Sequence, residues 1–277
     1  MKWNFVRAIL GAAVWGIIPG TCPTASAAFL NIPDASFESP VVPPDVVAAG
    51  FALPFEAPGA YAYYGVTPSP WQSEGPSGNT PLGPAKFNTG IFANLATGQP
   101  GHITNADGTQ LAFLSVHTVD PNNVIWQTLS DVYQAGQAYT LTVGVSVSYY
   151  QPPAADDAIL LGLYYLDTLG QRQPVRTQSI SLVGLRSDLL QDVSLTLPQA
   201  AVGDSWVGRP ISLDIRSAGT SATGGFVDLD NVRLDATSVP EPATGLGLAG
   251  AALWLMLSRR GRNQILPRPR AWRLSAK

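Results

Sequence analysis

Apolar and polar residues alternate along much of the middle of this 277-residue chain. The clearest case runs from Tyr139 to Tyr149, where every odd-numbered residue is Tyr, Leu or Val and every even-numbered one is Thr, Gly or Ser. Successive side chains of a strand point to opposite faces, so this pattern predicts a half-buried strand of an antiparallel sheet. The middle of the chain shows no sustained helical period.

Several further short segments have strand-type patterns and are separated by clusters of Gly, Pro, Asp and Asn. They span residues 110–117, 124–129, 159–166, 176–182, 191–197, 211–216 and 226–234. Many short strands joined by turns predict an all-β fold, specifically a jelly-roll β-sandwich formed by residues 29–236.

The stretch from residue 41 to 105 is rich in Pro and Gly, and its aromatic residues follow no clean period. We expect one or two irregular strands there, around 60–66 and 71–72, because a structureless loop of that length is unusual in a compact domain. Tyr63, Tyr64 and Trp71 are candidate ligand-binding residues, since exposed aromatic rings pack against sugar C–H surfaces. The alternative is that these rings pack in the core or at a sheet edge.

The N-terminus has the three-part pattern of a secretory signal peptide. Lys2 and Arg7 are followed by an apolar stretch at 8–18 and by small residues at 25–28. This order predicts a signal helix within residues 1–28 that is removed on export, with a buried N-terminal helix as the alternative. The only cysteine, Cys22, lies in that peptide, so the mature chain has no thiol for a disulfide, a metal site or catalysis.

Near the C-terminus, residues 244–257 are almost uninterruptedly apolar and are followed by Arg259 and Arg260. This predicts a short transmembrane helix with its arginines on the cytoplasmic side, the alternative being a buried core helix. The order of Pro240-Glu241-Pro242, apolar helix and arginine pair resembles the PEP-CTERM sorting signal of Gram-negative bacteria.

That resemblance covers residues 237–262 and implies an exosortase-type membrane transpeptidase as partner. The protein would be anchored in the inner membrane before processing and would then lie at the cell surface or outside the cell. The basic tail at residues 263–277 extends beyond the family's usual end and would be cytoplasmic.

A second resemblance lies in the body of the chain. The segments NIPDASFESP, NADGTQLAFL, VIWQTLSDVYQAGQAYTLTVGV and GGFVDLDNVRLDA occur in an order that resembles galactose-binding-like jelly rolls of the carbohydrate-binding-module type. The resemblance implies that the first and last strands pair and that a structural Ca²⁺ often lies near their meeting point. It places Glu38 and Asp230 among the metal ligands, with Asp34 as a further candidate.

The residues give separate reasons to consider a cation at this place. Strand parity puts Asp230 on one face with Val232 and Leu234, so its carboxylate would begin an apolar face and would need a partner. Calcium accepts carboxylate and carbonyl oxygens, which suits a site formed by Asp34, Glu38 and Asp230. Alternatively, Asp230 accepts backbone N–H bonds and Glu38 is solvated. Asp107-Gly108 is predicted to form a turn into a strand rather than a ligand loop.

Charge and composition narrow the functions further. Residues 29–238 contain 18 acidic and 7 basic side chains, a net charge of −11, which argues against nucleic acid as a partner. No catalytic motif is present, so no catalytic residue is predicted and a binding function, with exopolysaccharide as a candidate ligand, is favoured. The alternatives are a calcium-dependent jelly-roll enzyme of the cyclase type acting on a small apolar compound, or a purely structural envelope protein.

Overall fold

The structure, a computed structural model, describes residues 27–42, 62–64, 70–74, 89–116, 123–219 and 225–239. These ranges form β-strands, turns and loops and contain no α-helix. The strands are β1 (Ala27–Leu30), β2 (Ala62–Tyr64), β3 (Gln72–Glu74), β4 (Thr89–Ala93), β5 (Gln110–Val116), β6 (Val124–Val132), β7 (Gln137–Val147), β8 (Ala158–Leu166), β9 (Arg172–Ser181), β10 (Gln191–Leu197), β11 (Pro210–Ser217) and β12 (Gly225–Ser238).

The strands form two antiparallel sheets that pack as a jelly-roll β-sandwich, which confirms the predicted fold class for this part of the chain. The seven-stranded sheet has the order β10-β7-β12-β5-β4-β2, and β1 pairs with β12 beside this path. The five-stranded sheet has the order β3-β6-β11-β8-β9. The pairing of β1 with β12 confirms the expectation that the first and last strands meet.

The core lies between the two sheets and follows the alternation seen in the sequence. Leu141, Val143 and Val145 of β7 are fully buried in it, as the period of two predicts. From the opposite sheet, Leu213 and Ile215 of β11 pack into the same cluster. The alternation therefore identified the inward face of these strands correctly.

Strand β12 departs from regular alternation at Asn231. Its pairing with β7 shifts register between Asp230 and Arg233, and Asn231 has a φ of 53°. Leu229 lies in the core before this β-bulge and Val232 after it, so the inward parity changes by one residue. The expectation that Asp230 shares a face with Val232 and Leu234 is therefore wrong, although Asp230 is fully buried.

Two loops cover the outer face of the seven-stranded sheet. The loop between β4 and β5 meets the loop between β9 and β10, where the Thr104 N–H donates to the Asp188 carbonyl at 2.9 Å. Ile103, Leu111 and Leu190 form a second small apolar cluster beneath them. This part of the outer face is therefore packed as well, which accounts for buried polar residues on it.

Several predictions fall wholly or partly outside the described residues. These include most of the signal peptide, the sorting motif at Pro240, Glu241 and Pro242, the pair Arg259 and Arg260, and the basic tail. In the described part of the chain, no helix has the length and apolar character needed to cross a bilayer.

Candidate functional site

Three segments that are distant in sequence meet at one corner of the sandwich, and the predicted metal-site residues lie there as hydrogen-bond acceptors. The Glu38 carboxylate accepts hydrogen bonds from the Thr109 and Gln110 N–H groups at 2.9 and 2.7 Å. The Asp230 carboxylate accepts the Asp107 N–H at 2.6 Å. We call Asp34, Glu38, Asp107 and Asp230 the acidic corner.

The acidic corner has no ion pair with a basic side chain among the residues that the structure describes. The arginine ion pairs in the described residues involve Asp188, Asp192 and Asp214 instead. Burial, with a smaller effect from the nearby carboxylates of Asp107 and Glu38, raises the pKa of Asp230 to about 7. Burial also raises the pKa of Asp34, whose carboxylate accepts the Glu38 N–H at 2.8 Å.

The donor types at this corner suit a hard divalent cation, because Ca²⁺ prefers carboxylate and carbonyl oxygens. Their present arrangement is that of hydrogen-bond acceptors, since Asp230 also accepts the Asn231 N–H at 2.7 Å. No three Asp, Glu, His or Cys side chains in the described ranges converge on one point as a metal site requires.

Asp107 is a member of this corner that the sequence interpretation did not assign. Its turn was recognised, and Gly108 explains why the turn fits. A Cβ on Gly108, which has a φ of 93°, would lie 2.5 Å from a carboxylate oxygen of Glu38. A glycine after Asp107 therefore indicated, in the sequence, that the backbone approaches another group closely at this turn, and that group is the Glu38 carboxylate.

A second buried carboxyl lies among phenylalanine rings on the outer face of the seven-stranded sheet. Asp228 of β12 is paired in register with Phe113 of β5 and Ser146 of β7. The Phe113 ring packs edge-on against Phe226 at 5.7 Å and lies 6.4 Å from the ring of Phe92, centroid to centroid. We call Phe92, Phe113, Phe226 and Asp228 the aromatic recess.

Within the described ranges, no basic side chain compensates the charge of the Asp228 carboxylate. Its residue is only 6% exposed, and no ion pair reaches it from the described residues. Burial raises the pKa of Asp228 to about 7, and the Ser146 hydroxyl offsets part of that rise. With a pKa near 7, a large share of this carboxyl is protonated at neutral pH, and the protonated form is the one that can act as an acid.

A third buried carboxyl, Asp214 of β11, is in a different electrostatic setting. Arg216 donates to it at 2.8 Å, and Arg172 lies at 3.8 Å. Burial raises the pKa of Asp214, while the Arg216 hydrogen bond opposes the rise. The two guanidiniums also lie over Trp126 and Tyr164, so this network ties the outer face of the five-stranded sheet together. It is charge-compensated, and therefore less suited to proton donation than Asp228.

Of the three aromatic residues proposed as a sugar-binding surface, Trp71 is the one whose side chain the structure describes, and it is a core residue. Trp71 is only 4% exposed, packs on Phe37 in the core and donates its indole N–H to the Asp34 carbonyl at 2.9 Å. It holds the segment that contains Asp34 and presents no ring face to a ligand. Tyr63 and Tyr64 belong to β2, and their side chains lie outside the described residues.

Solved structures similar to this chain include cyclases and carbohydrate-binding modules. An apo cyclase from Fischerella sp. shares 19% identity at a TM-score of 0.55, over 78% of this chain and 98% of that chain. A cyclase from Fischerella sp. TAU in complex with 4-(1H-indol-3-yl)butan-2-one shares 18% identity at a TM-score of 0.53, over 76% of this chain and 97% of that one. A xylan-binding domain from Paenibacillus barcinonensis Xyn10C shares 12% identity at a TM-score of 0.35, over 65% of this chain and 94% of that domain.

Among curated proteins no sequence matches this chain. The model of the HpiC1-like family, described as HpiC1 cyclase, matches residues 28–235. That range takes in most of the chain and contains the acidic corner, the aromatic recess and every described strand except the ends of β1 and β12. The chain therefore belongs to the HpiC1-like cyclase family.

Proposed function

We propose that this protein is a cyclase in which the Asp228 carboxyl donates a proton to a small apolar substrate. The observation that carries the proposal is the uncompensated carboxyl in the aromatic recess of a chain from a cyclase family. The enzyme alternative raised by the sequence is thus preferred over a purely structural role.

The chemistry of the recess suits an acid-promoted ring closure. The neutral carboxyl protonates a substrate C=C bond, which leaves a carbocation and the Asp228 carboxylate. A second π bond of the substrate attacks the cation and closes the ring, and loss of a proton to the carboxylate restores both the product's neutrality and the acid. The acid then exchanges its proton with solvent after product release and before the next turnover. Electron-rich faces of Phe113 and Phe226 stabilise the cation, and their bulk keeps water from trapping it.

The substrate class follows from the same chemistry. The compound must supply both an alkene to protonate and a π nucleophile, and it must be apolar enough to enter a recess of phenyl rings. An indole with an unsaturated side chain meets these requirements. Indole-containing ligands are named in two of the similar cyclase structures, which supports this choice of class.

The test is turnover of an alkenyl-indole in D₂O, followed by mass spectrometry. Cyclisation through protonation adds one deuterium to the product in each turnover. Asp228→Asn keeps the size of the side chain but removes the acid, so we expect kcat to fall by about 10²–10⁴-fold while substrate binding is largely retained. Asp188→Asn, an exposed acid outside the recess, is the matched control and should keep wild-type kcat.

Two results would contradict the acid assignment. One is an Asp228→Asn variant that turns over at the wild-type rate, and the other is product that forms without deuterium. A variant that loses binding and thermal stability together would show that Asp228 is structural rather than an acid.

We further propose that Ca²⁺ binds at the acidic corner, with Asp34, Glu38 and Asp230 as predicted and Asp107 as an additional ligand. The proposal is supported by four carboxylates that have no arginine or lysine partner in the described part of the chain. A bound cation would replace some of the present backbone hydrogen bonds and neutralise the mutual repulsion of these groups.

Export and sorting remain the proposal for the cellular context. The N-terminal signal pattern, Pro240-Glu241-Pro242 and the arginine pair support secretion and processing by an exosortase-type enzyme. Intact-mass measurement of the native protein tests both cleavages. Native protein recovered from the cytosol with Met1 and Lys277 still present would refute this proposal.

A further inference from the structure

A small polar cavity opens on the outer face of the seven-stranded sheet, beside the bulge of β12. Its volume is about 310 Å³. The cavity is lined by Asn105, Gly144, Leu190, Asp192, Asn231 and Arg233. The cavity adjoins the acidic corner, since Asn231 directly follows Asp230, but no residue of the acidic corner or of the aromatic recess lines it.

Because Gly144 has no side chain, the space above its backbone is part of the cavity. Gly144 lies between β12 and β10, where its register partners are Asp230 and Asp192. A Cβ at this position would lie 3.1 Å from the Asp230 carbonyl oxygen and 3.6 Å from the Leu190 Cβ. Any larger residue would fill the space that the lining side chains surround.

The cavity presents both hydrogen-bond donors and acceptors but carries no net charge. The Arg233 guanidinium and the Asp192 carboxylate pair at 2.5 Å and so neutralise each other. The Asn105 and Asn231 carboxamides make no side-chain hydrogen bond to the described residues, and each offers one acceptor and two donor hydrogens. Leu190 adds an apolar patch.

The backbone around the cavity is held in an unusual conformation. In the described ranges, the non-glycine residues with left-handed φ are Asp34, Phe37, Asn105 and Asn231. All four lie on the segments that form the acidic corner, and the two asparagines line the cavity. Asn adopts this conformation more readily than most residues, so the left-handed φ fixes where the two carboxamides lie without requiring large strain.

We propose that this cavity binds a neutral, hydroxyl-rich molecule of monosaccharide size. A hydroxyl group donates and accepts at once, which matches paired carboxamides and an ion pair better than it matches an anion or a cation. An anion or a cation would have to break the Arg233–Asp192 ion pair in order to bind one of its members. An apolar ligand would bury the cavity's two carboxamide side chains without giving them hydrogen-bond partners. The site does not depend on the cyclase activity.

The test is ligand-observed NMR on the full-length protein with glucose, galactose, mannose and sorbitol at millimolar concentration. Cyclohexanol and glucuronate serve as the apolar and the anionic comparison. We expect saturation transfer to at least one of the neutral polyols. We expect none to cyclohexanol or to glucuronate. Asp192→Asn should weaken that binding about tenfold or more, because it removes a charged acceptor and unpairs Arg233.

The matched control is Asp188→Asn, because Asp188 has a similar exposure and a similar arginine partner but does not line the cavity. It should leave the affinity unchanged, and Asp228→Asn should also bind the polyol as the wild type does. The proposal is overturned if no polyol binds, if cyclohexanol or glucuronate binds as well as the sugars, or if Asp192→Asn and Asp188→Asn have equal effects.

Discussion

Gly162 of β8 shows how one residue can fix the arrangement of a buried polar network. The Tyr164 ring and the Asp214 carboxylate both pack directly on its backbone. Burial, together with the negative charge of Asp214, raises the pKa of Tyr164 to about 12, so its hydroxyl stays protonated and hydrogen-bonds Asp214. The close approach of ring, carboxylate and main chain therefore requires a residue without a side chain at 162.

We predict that Gly162→Ala destabilises the protein by about 1–3 kcal/mol, the usual cost of overpacking. The added Cβ would lie 2.1 Å from a Tyr164 ring carbon and 2.4 Å from Asp214 Oδ1, and both of these residues are buried. Urea unfolding measures the change. Gly203→Ala is the control, because nothing lies within 4 Å of its Cβ, and it should stay within about 0.5 kcal/mol of the wild type. Equal stabilities for the two variants would contradict this account.

The strands differ in how well their position and inward face could be predicted from the sequence. The alternating pattern of β7 is local, and this strand was predicted. β4 (Thr89–Ala93) was missed, because its first three residues are all buried and so show no alternation. The bulge in β12 was missed because one extra residue changes the parity without changing the composition. Asp107 was placed in a turn, but its contact with Asp230 spans 123 positions and no local pattern encodes it.

The β-bulge in β12 depends on the left-handed conformation of Asn231, so substitutions at this position should change stability according to how readily the new residue adopts that conformation. Asn231 has a φ of 53°, which Asn and Gly adopt readily and β-branched residues do not. We expect Asn231→Gly to change the free energy of unfolding by less than about 1 kcal/mol, and Asn231→Val to cost about 1–3 kcal/mol. Chemical denaturation of both variants is the measurement. If Val were tolerated as well as Gly, the left-handed conformation would not be required by the fold.

At the scale of the whole molecule, the acidic corner joins the segment after β1, the turn before β5 and the middle of β12. The Val232 N–H also donates to the Ala35 carbonyl at 2.9 Å, so the N-terminal segment is tied to the last strand by both backbone and carboxylate contacts. The corner carries four acidic groups within a body of net charge −11. A cation bound there would stabilise contacts between parts of the chain that are separated by up to about 200 residues.

We therefore predict that calcium raises the melting temperature of the folded protein. A ligand at 100 times its Kd adds about 2.7 kcal/mol, which corresponds to about 5–10 °C for a domain of this size. Glu38→Gln removes one carboxylate from the corner and should abolish most of the shift, whereas Asp192→Asn, an acid outside the corner, should leave it intact. Magnesium at the same ionic strength should raise the melting temperature less than calcium does, because Mg²⁺ requires a smaller site with octahedral geometry. An equal shift with both metals, or an unchanged shift in Glu38→Gln, would mean that the cation only screens charge and does not occupy the corner.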